Sequence, residues 1–380
     1  MEEPTTTDNT LSSPQIIQNN GRFHGSGGEF FGIWIVNLLL SIVTLGIYSA
    51  WATVRTRKYF YRNTELAGSR FDFHGKPIPI LIGRIIGISL FGLYSFSSYI
   101  NEFFSIAVFM FVVIAFPWLF AQSWGFRLRN TSWRGIHFDF RGQVGEIYRR
   151  LGIYILIITV SQGLGLYFSL RPDSEYIFLF LFGSLIISLI VYPCIYAKIM
   201  DIAINKAYIG HSQCHLIDLQ PEWIRLFFKV FFLYITLVII IVIGVFGILS
   251  SAASVFENLQ ENFITIVFMY LLLVMAYVVP VSFWQVGKLN LIFDNTTING
   301  APSNAKLKVS EYIKLLLTNT LLTTLTCGLA YPWAAVRIAR YQVEHIGFYG
   351  DADNFSGTKL KDKNALGQEV TSAFDMEIGL

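Results

Sequence analysis

The chain has 380 residues, of which 54% are hydrophobic, 16% aromatic and 14% charged. Soluble proteins carry roughly 25% charged residues, so this composition excludes an ordinary soluble domain and implies a membrane protein. The net charge of +3 is too small to point to nucleic acid, and none is expected as a partner.

Residues 1–20 are polar, hold Glu2, Glu3 and Asp8, and have no basic stretch before an apolar core. They read as a disordered tail and not as a cleaved signal peptide. Eight apolar segments follow, at about 30–50, 78–100, 104–126, 151–170, 176–197, 228–250, 263–287 and 311–335. Most reach the roughly 20 residues a helix needs to cross about 30 Å of hydrocarbon, and none alternates with period 2. Helices are therefore predicted throughout the membrane. Residues 351–380 read as a second polar tail.

One device punctuates these segments. Asn-x-x-x-x-Gly occurs at 63–68, 130–135, 205–210 and 295–300, with a degenerate copy at 345–350 that begins with His345. It reads as a helix C-terminal cap, Asn closing the helix and Gly supplying a positive φ. The copies divide 21–350 into five repeat units, at about 21–68, 69–135, 136–210, 211–300 and 301–350. After a copy comes a short alternating stretch, clearest at 70–75 (RFDFHG) and 137–142 (HFDFRG), with weaker forms at 22–25, 216–219 and 307–309. Period-2 alternation predicts strands. The expected fold is thus an all-α polytopic membrane protein of internally repeated helical hairpins, with small cytoplasmic β-strand elements.

Lysine and arginine orient the segments. Residues 55–84 carry seven, 127–150 six, and 198–229 and 288–314 four each, whereas the intervening turns hold Glu102, Asp173, Glu175, Glu257 and Glu261. By the positive-inside rule every Asn-x-x-x-x-Gly copy faces the cytoplasm, and the three middle units leave it and return. Four apolar stretches begin with a carboxylate, Glu29, Glu146, Glu222 or Glu311, which suits a helix N-terminus.

The first and last units match. Residues 36–59 and 318–341 align without a gap, pairing Asn37 with Asn319, Thr44 with Thr326, Gly46 with Gly328, Trp51 with Trp333 and Arg55 with Arg337. If residues 23–25 lie with the cytoplasmic strands, the stretch from Glu29 to Asn63 is too short to cross twice. The segments 30–62 and 311–344 would then be re-entrant half-hairpins, with tips at Thr44 and Thr326. The alternative is two single crossings with both termini outside.

Asn37, Asn319, Thr44 and Thr326 form the candidate polar locus, because intramembrane polar groups face a bundle interior. The competing reading is a simple interhelical hydrogen bond. Arg55 and Arg337, four residues after the matched Trp, are candidate contacts for an anion or a lipid phosphate. Pro117, Pro193, Pro280 and Pro332 precede their unit's Asn or His at similar distances and predict mid-membrane kinks. Lys198 and Asp201 read as an i, i+3 ion pair. Cys194, Cys214 and Cys327 are scattered and imply no disulfide framework, and His211, Cys214 and His215 are too few for a metal site. Neither catalytic residues nor a cofactor are expected, and the chain does not read as an enzyme.

The sequence Thr44-Leu45-Gly46-Ile47-Tyr48 with Trp51, the basic run after it, Phe71-Asp72-Phe73-His74-Gly75, and Tyr331-Pro332-Trp333 together resemble the YjgN-like family of bacterial inner-membrane proteins. Ser49-Ala50-Trp51 departs from the Pro-Trp form of the last unit. The resemblance covers most of 20–350 and implies a multi-pass inner-membrane protein, with no catalytic or binding residue carried over. The first expectation is a channel or carrier for a small solute, with a site between the two end units. The alternative is a non-transporting scaffold that binds a cytoplasmic partner or lipid. The bilayer is the one partner the composition requires, and no protein partner can be read from the sequence.

Overall fold

A computed structural model describes residues 18–169, 175–251 and 259–350. The tails at 1–17 and 351–380, and the turns bearing Asp173 and Glu257, lie outside the described residues. The chain runs β1 (Gln18–Phe23), α1 (Gly27–Val43), α2 (Ser49–Asn63), β2 (Thr64–Leu66), β3 (Ser69–Phe73), α3 (Pro77–Ile100), α4 (Glu102–Arg129), β4 (Thr131–Trp133) and β5 (Ile136–Phe140). It continues through α5 (Val144–Ser169), α6 (Ile177–Asn205), β6 (Ala207–Ile209), β7 (Ser212–Leu216), α7 (Gln220–Ser251) and α8 (Leu259–Asp294). Last come β8 (Thr296–Ile298), β9 (Ala301–Ala305), α9 (Val309–Leu325), α10 (Tyr331–Glu344) and β10 (Ile346–Tyr349).

The ten strands form one closed antiparallel barrel, in which each pairs with its chain neighbours and β1 pairs with both β2 and β10. This overturns the all-α expectation. The strands are not small separate elements but a complete second layer. Each of the four Asn-x-x-x-x-Gly copies hides a three-residue strand between its Asn and its Gly, and the degenerate copy at 345–350 a four-residue one. That is too short to show alternation, so only the longer partner strand is legible. The C-cap reading fails at the glycine for the same reason. Ala67-Gly68, Arg134-Gly135 and Asn299-Gly300 are two-residue hairpin turns with φ near +50 and then +72 to +81, as type I′ turns require. The asparagines do close their helices. The side-chain Nδ2 of Asn63, Asn130 and Asn295 donates to the carbonyl four residues earlier, at 2.8–2.9 Å. Their own carbonyls accept from His24, His74 and Ile217 N–H groups and so extend the ladder.

The barrel is filled. Paired positions Gly21–Leu66, Phe71–Trp133, Phe138–Ile209, Cys214–Ile298 and Ser303–Phe348 supply one inward side chain position per strand. Trp133 on β4 meets Phe348 on β10 edge-on, with ring centroids 6.3 Å apart. These strands are not neighbours in the sheet, so the contact crosses the interior. Indole Nε1 of Trp133 donates to the carbonyls of Leu66 and Ser69. A ten-stranded barrel plugged in this way is a core and not a pore.

Three helical hairpins, α3–α4, α5–α6 and α7–α8, rise from the barrel and return to it. Among the described residues six helices are long and apolar enough to cross a membrane, and they expose apolar side chains such as Ile88, Phe91, Phe178 and Ile243. Each helix packs against its chain neighbours and α1 packs against α10, so the helices close a ring over the strands. Near the barrel that ring is filled by Phe120, Trp124, Leu151, Met200, Trp223 and their neighbours. Trp124 Nε1 donates to the Ala203 carbonyl across it at 3.0 Å.

The end hairpins are different. β1 and β2 receive α1–α2, and β9 and β10 receive α9–α10, so both pairs turn back to the barrel and the single-crossing alternative does not occur. The 17 residues of α1 and of α9 span about 25 Å each. Tyr270 Oη donates to Thr324 Oγ1 near the tip of α9 at 2.7 Å, while α8 continues eleven residues, about 16 Å, beyond Tyr270. The tips are apolar and bare, Leu45 being 94% exposed and Leu325 83%. Their backbone is nevertheless satisfied internally. Gly46 N–H reaches the Ser41 carbonyl and Gly328 N–H the Thr323 carbonyl, both at 2.7 Å, which makes a bend tolerable in hydrocarbon.

Candidate functional site

The end-unit residues singled out in the sequence are bound up inside their own hairpins. Asn37 is 5% exposed and Asn319 3%. Asn37 Nδ2 donates to the Ala52 carbonyl at 3.5 Å and its Oδ1 accepts from Arg55 at 3.3 Å. Asn319 does the same with the Ala334 carbonyl, at 3.3 Å, and with Arg337, at 2.8 Å. Thr44 and Thr326 sit at the bends, where each hydroxyl accepts the N–H four residues on, from Tyr48 and Ala330. Each amide thus bolts one short helix to the next and aims an exposed arginine. These contacts bring Asn37 to Arg55 and Asn319 to Arg337, and none of them runs between the two hairpins.

Other expectations shift. Pro117, Pro193 and Pro280 lie inside α4, α6 and α8, but Pro332 opens α10 and kinks nothing. Asp201 pairs with Arg150 at 2.6 Å and Lys198 with Asp218 at 3.9 Å, not with each other. Cys214 faces the barrel interior, where burial pushes its thiol up to about 12. His215, the next residue along the strand, is on the opposite face.

A cavity in the membrane layer lies between α6, α7 and α8, with Phe116 of α4 at its side. It holds about 840 Å3 and is lined by aromatic and aliphatic groups, including Tyr192, Tyr196, Phe227 and Trp284. Tyr196 and Trp284 stack edge-on at 5.2 Å, and Tyr192 lies 5.7 Å from Phe227. Pro280, inside α8, forms part of the wall. The polar lining comes from Gln285, Lys288 and the tyrosine hydroxyls, and no carboxylate lines it. Lys288 is only 2% exposed. It sets a basic group in the wall of a cavity that is otherwise mostly aromatic and aliphatic. The sequence alone does not connect Lys288 to the rings of Tyr192, Tyr196 and Phe227, which come from α6 and α7, whereas Trp284 lies one turn before it on α8.

A second cavity, of about 580 Å3, lies on the outer wall of the barrel at β3, β4 and β5. Asp72 there accepts from Arg62 through both oxygens, at 2.8 and 3.1 Å, and from the Phe73 N–H at 2.8 Å. The guanidinium holds its carboxyl below the usual carboxylate range. A depressed value means the stabilisation is present above the unfolded carboxyl's value, about 3.9, and is lost as pH falls through the folded one. Both partners are partly exposed, so the effect is small. Asp72→Asn is expected to lower the thermal unfolding temperature at neutral pH, and the gap from the unaltered protein should close on acidification. A gap that does not narrow at all between neutral pH and about pH 3 would show that the ion pair is not its source.

A family described as bacterial protein of unknown function (DUF898) matches residues 18–373. The chain belongs to the DUF898 family. That match takes in every strand and helix of the described residues. The inner membrane protein YjgN of Salmonella typhimurium is 24% identical over 383 residues, covering 92% of this chain and 93% of that protein. The inner membrane protein YjgN of Escherichia coli O157:H7 is 29% identical over 161 residues, 38% of this chain and 36% of its own length. The Escherichia coli K12 protein of the same name is 49% identical over 51 residues, 13% of each chain. No solved structure matches. With its six apolar helices, this DUF898 chain is an integral membrane protein.

Proposed function

We propose that this protein sits in the inner membrane with the barrel in the cytoplasm, and binds an anionic amphiphile in the cavity between α6, α7 and α8 as carrier or receptor. The names of its relatives and the basic residues crowded at the barrel end support the placement. The cavity's composition carries the ligand class. Its one cation, Lys288, lies six residues before Asp294, about 9 Å above the barrel end of α8. Pro280 is eight residues, about 12 Å, farther up. A molecule with its charged group at Lys288 and its chain along Tyr196, Trp284 and Phe227 would lie as a lipid of the barrel-side leaflet lies. A small polar solute would leave those rings unused. The plugged barrel offers such a solute no axial path either.

The test counts bound lipid. Purified protein in nanodiscs of phosphatidylcholine with phosphatidylglycerol is expected to retain phosphatidylglycerol in native mass spectrometry. Lys288→Gln should weaken that retention about tenfold, while Lys288→Arg keeps it. Equal retention by a folded Lys288→Gln protein would reject the site. A stoichiometric protein partner with no retained lipid would turn the reading towards a scaffold.

A further inference from the structure

We propose that the outer barrel groove between the β2–β3 and β4–β5 hairpins binds a small soluble phosphate ester. This does not depend on the membrane cavity. The groove of about 580 Å3 is lined mainly by basic and polar groups: the guanidinium groups of Arg70 and Arg134, the imidazoles of His74 and His137, and the hydroxyl of Ser132. Its one carboxylate, Asp72, is already bridged by Arg62 and the Phe73 N–H, so the net lining charge is positive. Guanidinium forks match phosphate oxygens in pairs.

The histidines are placed for the same ligand. The rings of His74 and His137 lie 5.2 Å apart, from two different hairpins. His137 Nδ1 is 3.3 Å from the Arg129 carbonyl, which can only accept, so Nδ1 donates there and the bond fixes the plane of the ring. His74 Nε2 meets the buried Ser132 hydroxyl at 2.9 Å, so that hydroxyl is oriented by its partner. Arg134 occupies a turn position at φ +55 and lies over the Trp133 ring at 5.7 Å, which fixes its backbone and limits its swing. The other hairpins do not combine two histidines with two arginines: the β6–β7 strands present Tyr208, Gln213 and His215 outward, and β8–β9 presents Thr297, Pro302 and Asn304. The cavity is larger than a bare inorganic ion needs and leaves room for the organic part of an ester.

The full chain in phosphatidylcholine nanodiscs, titrated calorimetrically with pyrophosphate as the probe, is expected to show saturable binding. The double variant Arg70→Gln, Arg134→Asn should weaken it at least about tenfold. Asn-Gly suits a type I′ turn and already forms the Asn299-Gly300 hairpin, so the barrel should keep its unfolding temperature. His74→Gln with His137→Gln gives a second variant, expected to weaken binding without touching either arginine. Phosphatidylglycerol discs distinguish the source of the phosphate: lipid headgroups should not compete with the probe. No saturation up to about 10 mM pyrophosphate, unchanged binding by both variants, or displacement of the probe by phosphatidylglycerol would each overturn the proposal.

Discussion

Trp133→Ala should cost about 3–5 kcal/mol, the range for removing a large buried aromatic side chain. Trp133 is 3% exposed, stacks on Phe71, meets Phe348 across the barrel and donates to two carbonyls of the neighbouring hairpin. Its loss leaves a void at the centre and two carbonyls without their donor. The membrane hairpins should survive, because each satisfies its own backbone in the bilayer. The expected outcome is therefore split: helical circular dichroism holds, while limited proteolysis cuts in the hairpin turns. Trp133→Phe should recover much of the loss by refilling the space. If Trp133→Ala is no more protease-sensitive than Trp333→Ala, at a half-exposed position, the barrel does not depend on its filled centre.

Gly347→Val should unfasten the seam between β1 and β10, at about 3 kcal/mol or more. A Cβ at 347 would stand 2.4 Å from the Asn19 carbonyl oxygen and 2.9 Å from Asn20 Oδ1. The first of these is backbone in the paired strand, so no rotamer relieves the clash. Gln18 and Tyr349 are partners in this seam. With the native cysteines replaced, Gln18→Cys with Tyr349→Cys should cross-link on mild oxidation, since paired strand positions lie within disulfide reach. Adding Gly347→Val should abolish the cross-link, whereas Gly92→Val, where a Cβ meets nothing, should leave it. Persistence of the cross-link in Gly347→Val would mean that the strands accommodate the methyls by sliding.

The helical layer was legible because a bilayer imposes a length and a polarity that a sequence cannot hide. The return of the end hairpins was legible too, from an Arg22-Phe23-His24-Gly25 stretch that matched the later strands. The barrel was not. Half of its strands are only three or four residues long and sit inside a motif that looks like a helix stop. Thr64, Thr131 and Thr296 add to that disguise, since their hydroxyls still bond to the helix carbonyl four residues back. Asn37 and Asn319 stood out as matched polar residues, but their matching reflects the same bracing of two short helices. Lys288 gained its interest only when the rings of Tyr196, Phe227 and Trp284 converged on it. Trp284 is one turn away on the same helix, but Tyr196 and Phe227 arrive from α6 and α7, and no local pattern encodes that.

The barrel joins residues near the start of the chain to residues near its end: Asn19 Nδ2 donates to the Gly350 carbonyl at 2.7 Å, 331 positions away. During synthesis every hairpin can insert as it emerges, yet the last strand to leave the ribosome is the one that ends the wait for a partner at β1. Until then both outer strands have open edges, and an unpaired edge invites foreign strands. A nascent chain released after α10 but before β10 would thus be fully threaded into the bilayer and still be adhesive.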